Sequence, residues 1–247
     1  MSPVPAIHHL EYLLFNGLVL LFPLLFSFEK KISLWKKWRF VFPAIFLGSA
    51  PFLIWDLWAV GRHWEFNPAA ILGPRLAGLP IEEWLFFLTV PYALLFVWEN
   101  VKLLIPAREA AASILVPALI AQWVLLLAAW VFLFAREMEY LAVASTGLGL
   151  VLLLSVLVFR IRILESWRGM AMLVLFLALT LVANGYLTAR PVVIYREAIL
   201  TGLRVFRIPV EDFIFGLGHL ILILTTYEYL LKRFSVSGRA QREKETS

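Results

Sequence analysis

From residue 10 to residue 231 the chain is a succession of seven apolar runs, at 10–28, 39–60, 81–101, 113–134, 140–159, 169–187 and 210–231. Each approaches the ~20 residues that a helix needs to cross the hydrocarbon core of a bilayer. A transmembrane barrel would need alternation of apolar and polar residues over ~10-residue segments, and a run such as 148–159 does not alternate. Helices close all their backbone hydrogen bonds within one segment, so they are the remaining way for such runs to sit in lipid. Composition agrees: of 247 residues 62% are hydrophobic and 16% charged, against ~45–50% and ~25% in an ordinary soluble domain. That excludes a water-soluble globule.

The formal charge of +5 does not point to nucleic acid, because the basic residues punctuate the apolar runs rather than forming one face. The loops 29–39, 102–112 and 160–168, with the tail after residue 231, hold fifteen Lys and Arg against seven on the other side. The positive-inside rule therefore puts the N-terminus outside and the C-terminus in the cytoplasm. Four arginines, Arg190, Arg196, Arg204 and Arg207, lie on the nominally outer side and call for another explanation. The first run has no basic segment before it and reads as an uncleaved span. With no cysteine there is no disulfide framework, thiolate metal site or thiol nucleophile, and no metal site is expected.

An internal repeat constrains the architecture further. Sliding the chain by 129 residues aligns Leu79-Pro80-Ile81-Glu82-Glu83-Trp84-Leu85-Phe86 with Ile208-Pro209-Val210-Glu211-Asp212-Phe213-Ile214-Phe215 without a gap. The same offset pairs Trp38-Arg39 with Trp167-Arg168, Phe66 with Tyr195, Gly73 with Gly202, Arg75 with Arg204 and Glu99 with Glu228. Two three-helix units would be inverted relative to each other, but the unpaired run 113–134 carries the chain back across the membrane. The expectation is an all-α integral membrane protein: seven transmembrane helices as a 3+1+3 parallel tandem repeat about an axis along the membrane normal. Residues 1–105 form the first repeat, 106–138 the connector, 139–234 the second repeat and 235–247 a polar, disordered tail.

Glu82, Glu83, Glu211 and Asp212 lie in the first turn of a span, just after a proline. Acidic residues there complement the helix dipole, and proline is common at the first helical position; capping alone is one account of them. The flanking segments 69–79 and 198–208 are mostly apolar, so these helix starts are also candidates for protein-lined positions below the lipid surface. Carboxyls are costly there unless used. Two neighbouring buried carboxyls divide into an acid and a base, a general acid/base arrangement that needs no cofactor. Arg75 and Arg204 precede the two pairs by one spacing and either meet a carboxylate or anchor their loops. Asp56 and Asn184 fall at the same membrane level, His219 follows Asp212 by two helical turns, and the rings of Trp84, Phe86, Phe213 and Phe215 offer faces to a cation. Glu99 and Glu228, seventeen residues further on, belong at the opposite interface with Lys102 and Lys232. The sequence has no dinucleotide fingerprint, Walker A motif or zincin motif, and no lysine in the last span to hold retinal.

Pro80-x-Glu82-Glu83 and Pro209-x-Glu211-Asp212, together with Ile54-Trp55-Asp56, Phe66-Asn67-Pro68 and Asn184-Gly185-Tyr186-Leu187-Thr188-x-Arg190-Pro191, resemble the lycopene β-cyclases of the heterodimeric type in their fused single-chain bacterial form. The resemblance covers nearly the whole chain. It implies ring closure at the ends of lycopene or a related linear carotenoid, giving γ-carotene and β-carotene without net redox change and without a cofactor. Glu82, Glu83, Glu211 and Asp212 are then the catalytic candidates, with Asp56, Arg75, Trp84, Phe86, Asn184, Arg204, Phe213, Phe215 and His219 around the substrate. It further implies the bacterial cytoplasmic membrane as location, membrane lipid as surroundings, other carotenoid-pathway enzymes as candidate partners and no role for nucleic acid. The alternative is a transporter of the SWEET type, which shares a 3+1+3 layout, with the carboxyls as a proton relay.

Overall fold

The computed structural model of the chain describes residues 9–109, 115–136 and 138–245. Residues 113 and 114 of the fourth expected span, and 246 and 247 of the expected tail, lie outside them. Seven helices occupy the described residues: α1 Glu11–Phe26, α2 Trp38–Ala59, α3 Ile81–Leu104, α4 Leu115–Arg136, α5 Glu139–Leu153, α6 Trp167–Ala189 and α7 Val210–Glu245. Five helical stretches among them are long and apolar enough to cross a membrane, while Glu11–Phe26 and Pro117–Val131 are shorter apolar helices. α3 and α7 begin where the sequence placed them. Pro80 is extended at φ −57° and ψ 148° and precedes the first turn of α3, a position that asks no N–H of it. The last helix, α7, is described from Val210 to Glu245.

The segments before α3 and α7 are short antiparallel ribbons, so the fold is helical with three small β additions among the described residues. β2 (Arg75–Leu76) pairs with β3 (Leu79–Pro80), and β5 (Arg204–Val205) with β6 (Ile208–Pro209). Gly73 and Gly202, matched by the repeat, both take positive φ, at 104° and 78°, a conformation that only glycine adopts freely. The third ribbon joins the copies. β1 (Trp64–Phe66) pairs antiparallel with β4 (Val193–Tyr195), Glu65 opposite Ile194. Those two residues are 129 apart, so the ribbon is centred on a repeat-related pair.

Helix packing crosses between the copies. α1 lies along α3 and α5 along α7, so the first helix of each unit packs on its third. α2 packs along α7, the third helix of the other copy. Gly48 makes this approach possible: a Cβ there would stand 2.9 Å from Ile223 Cγ1. The corresponding α6–α3 contact is looser, and a cavity lies beside it.

At the lysine-rich end, Glu99 binds Lys37 and Lys102, and Lys102 also reaches Glu228 at 2.7 Å. Glu228 therefore takes a lysine from α3 rather than Lys232 of its own helix. Of the four outlying arginines, Arg190 pairs with Glu11, Arg196 with Glu65 and Arg204 with Glu197. These acidic partners explain their presence on the acid-motif side.

Candidate active site

Two consecutive residues of an α-helix point ~100° apart, so the members of each acid pair face different surroundings. Glu82 and Glu211 are fully buried and turn back to the loop. Glu82 Oε1 accepts from the Leu72 N–H at 2.6 Å, and Glu211 Oε1 accepts from the Thr201 N–H at 2.7 Å. Their other carboxyl oxygens have no hydrogen-bond partner among the described residues. Glu83 and Asp212 face the opposite way, into a cavity of about 140 Å³ shared by both copies.

The two inner acids meet unequal sets of donors. Tyr12, in the first turn of α1, donates to Glu83 Oε2 at 2.5 Å. Asp212 receives three hydrogen bonds: Tyr140 to Oδ1 at 2.7 Å, Tyr195 to Oδ2 at 2.6 Å and Asn184 to Oδ2 at 3.3 Å. Burial and the adjacent Asp212 carboxylate hold the phenol of Tyr195, on β4, well above its ordinary pKa, so it remains a donor. Asp56 also lines the cavity, 2% exposed, with Oδ2 lacking any partner among the described residues.

Below the carboxyls the wall is mostly apolar, with Thr180 and His219 as its polar members. Phe86, Phe87, Val90 and Leu94 of α3 face Phe176, Leu179 and Ala183 of α6, while Phe215 and Gly216 of α7 close the back. From Glu83 to Leu94 this stripe extends roughly 16 Å at 1.5 Å per residue. Leu179 lines the cavity and is 41% exposed, which places an opening between α3 and α6. His219 joins the wall; its Nε2 is 2.9 Å from Ser49 Oγ, and its ring sits 4.8 Å from Phe52 and 5.4 Å from Phe87.

The structure thus brings together Asp56, Glu83, Phe86, Asn184, Asp212, Phe215 and His219. It leaves Glu82, Glu211, Trp84 and Phe213 off the cavity wall; the Trp84 indole donates to the Leu76 carbonyl at 3.1 Å. Arg75 and Arg204 do not reach the acids. Each closes its own hairpin, Arg75 on the Gly78 carbonyl at 2.9 Å and Arg204 on that of Arg207 at 2.6 Å. Arg204 approaches the site only across the ring face of Tyr195, at 5.9 Å. Asn16 links α1 to α3, donating to the Glu82 carbonyl at 3.1 Å and accepting from Thr89 at 2.6 Å.

Sequence reasoning missed the tyrosines. Sliding the chain by 128 rather than 129 would have found two of them, since Glu11-Tyr12 then falls on Glu139-Tyr140. That offset also pairs Asp56 with Asn184 and Arg62 with Arg190. The structure uses the last correspondence across the copies: Glu11 binds Arg190, while Glu139 binds Arg62 at 3.0 Å.

A family model described as Lycopene cyclase matches residues 9–101 and again 138–230. The chain belongs to the lycopene cyclase family. The two matches begin 129 residues apart, the offset of the internal repeat, so each copy is recognised as a family unit in its own right. No curated protein and no solved structure matches the chain. Membership makes it a membrane protein acting on carotenoids, and the shared cavity is the place in this fold where acid groups meet an apolar slot.

Proposed function

We propose that the chain closes the end rings of linear lycopene, giving γ-carotene and then β-carotene, by proton transfer without a cofactor. The observation that carries this reading is the convergence of Glu83 and Asp212, one from each copy, on a single apolar-walled cavity. A carboxyl protonates the terminal alkene of the substrate. The tertiary cation accepts the electron pair of the neighbouring double bond, which forms the ring C–C bond, and a carboxylate then removes a proton to leave the ring alkene. One proton enters, one leaves, and no electron is exchanged with a partner. Phe86, Phe87, Phe176 and Phe215 offer π faces to the cation, and an apolar wall keeps water from capturing it. Catalytic carboxyls of this kind contribute ~10²–10⁴-fold each.

The substrate enters from lipid through the opening beside Leu179, its end group toward the carboxyls and its polyene along the α3–α6 stripe. In this reading the seven helices span the membrane as a parallel 3+1+3 tandem, N-terminus outside, in the bacterial cytoplasmic membrane. Transport is disfavoured by the same wall: the carboxyls stand at one end of an apolar slot, whereas a polar cargo needs polar lining beyond the midplane. The test is expression in a bacterium that accumulates lycopene, followed by chromatography of the pigments. Conversion to γ- and β-carotene by the wild-type chain, lost in membrane-assembled Glu83→Gln and Asp212→Asn variants, is the expected result. Unchanged lycopene beside well-assembled protein would sink the substrate assignment.

A further inference from the structure

The duplicated site is not symmetric: the second copy surrounds its inner acid with more donors than the first. Asp212 has donors on both oxygens, from Tyr140, Tyr195 and Asn184. In the first copy the positions that correspond to Tyr195 and Asn184 are Phe66 and Asp56, and both line the cavity. The first change deletes a donor, and the second replaces a donor with another carboxyl. Glu83 keeps the hydrogen bond from Tyr12 alone among the three types, while Asp56 Oδ2 is buried without a partner among the described residues.

Physical chemistry sorts these two environments. A carboxylate that accepts several hydrogen bonds is stabilised as the anion, whereas two carboxyls sharing one dry site do not both ionise. An unpartnered buried carboxyl oxygen is tolerated when the group is neutral and costly when it is charged. We infer that the two copies have divided the reaction: Asp56 and Glu83 together hold the proton given to the substrate alkene, and Asp212 is the base that takes the proton from the closed ring. Asp56 is thereby a catalytic residue lying outside both Pro-x-acid-acid motifs. After each turnover the proton on Asp212 is released and one from solvent restores the Asp56–Glu83 pair, so the protein returns to its starting charge.

This assignment rests on the lycopene reading above, and its test separates the two. The full-length chain and its variants are placed in lycopene-containing liposomes in deuterated buffer, and the carotenoids are resolved by chromatography and mass. The wild-type chain is expected to add one deuterium per ring closed. Asp56→Asn and Glu83→Gln are expected to slow closure at least ~100-fold and to return lycopene free of deuterium. Asp212→Asn leaves the acid in place, so it is expected to return deuterium-labelled lycopene or rings with displaced double bonds or captured water.

Assembly is checked by monodisperse elution with lycopene still bound. If Asp56→Asn does not assemble, Asp56→Glu replaces it: closure with one deuterium per ring supports the acid pair, and unlabelled lycopene counts against it. Asp56→Asn closing rings within threefold of wild type, or Asp212→Asn returning only unlabelled lycopene, would overturn the division of roles. A wild-type chain that leaves lycopene unchanged would instead remove the substrate reading beneath it.

Discussion

The outer and inner acids of the two motifs show what duplication preserves and what it releases. Glu82 and Glu211 are near copies: both fully buried, both accepting a backbone N–H ten residues upstream, both with one oxygen unpartnered among the described residues. Glu83 and Asp212 sit one residue further along the same turns, yet their neighbours differ in number, type and charge. Loop geometry leaves the outer pair one way to be satisfied, so the copies agree. The inner pair faces a cavity, where each wall residue can change without disturbing the backbone.

The widest contrast is expected from isosteric amides at the four positions. Glu83→Gln and Asp212→Asn remove ionisable groups from the cavity and should each cost ~10²-fold or more in turnover. Glu82→Gln and Glu211→Gln retain the oxygen that accepts the loop N–H, which leaves most of a ~1 kcal/mol hydrogen bond in place; their turnover should remain within about threefold of wild type. Rates of ring closure in the four membrane-assembled variants decide the matter. An outer variant as inactive as the inner ones would erase the distinction.

A smaller effect follows from making the second copy resemble the first. Tyr195→Phe reproduces Phe66 and removes the 2.6 Å donor from Asp212. A hydrogen bond to a charged group is worth ~1.5–3 kcal/mol, so kcat is expected to fall roughly 10–100-fold with little change in KM. The reciprocal Phe66→Tyr adds a hydroxyl beside an acid that already has Tyr12 and should change kcat less. Equal losses from the two exchanges would argue that the copies are functionally equivalent.

The helix contacts provide a third comparison. α2 closes on α7 through Gly48, where an added Cβ meets Ile223 at 2.9 Å, so Gly48→Ala is expected to destabilise by ~1–3 kcal/mol through overpacking. At Gly147 of α5 nothing lies within 4 Å of an added Cβ, and alanine there should instead gain ~0.5–1 kcal/mol from helix propensity. Denaturation in detergent measures both. A neutral Gly48→Ala would mean that the α2–α7 seam yields as readily as the α3–α6 opening.

Much of this was legible in the chain. The starts of α3 and α7 follow Pro80 and Pro209 directly, and the repeat pointed to one cavity shared by carboxyls of both copies, which Glu83 and Asp212 form. What the sequence left open was direction: adjacent glutamates on a helix look alike as text, and only the ~100° between them decides which enters the cavity. The tyrosines were hidden for another reason. Tyr12 and Tyr140 keep an offset of 128 while the motifs keep 129, so the register that aligns the acids misaligns their donors by one residue. The ribbons β2–β3 and β5–β6 are two-residue strands, too short for any alternation to register.

The smallest expected effect concerns a position where the copies part altogether, His63 against Pro191 at the 128 offset. His63 is fully buried among the rings of Trp55, Trp58, Trp64 and Tyr140, at 5.1–5.9 Å, with Glu139 3.7 Å away and Arg62 next in the chain. Burial is the largest influence and lowers its pKa below the ordinary 6.5, against the opposing pull of Glu139. The unfolded chain then binds a proton that the folded one refuses, so stability is full above pH 6.5 and is lost as the pH falls through and below it. Thermal denaturation from pH 8 to pH 5 should show this decline, and His63→Phe should flatten its His63 component. A His63→Phe curve with undiminished slope would place the pH sensitivity elsewhere, because the Pro191 side of the repeat has no titrating group at the matching position.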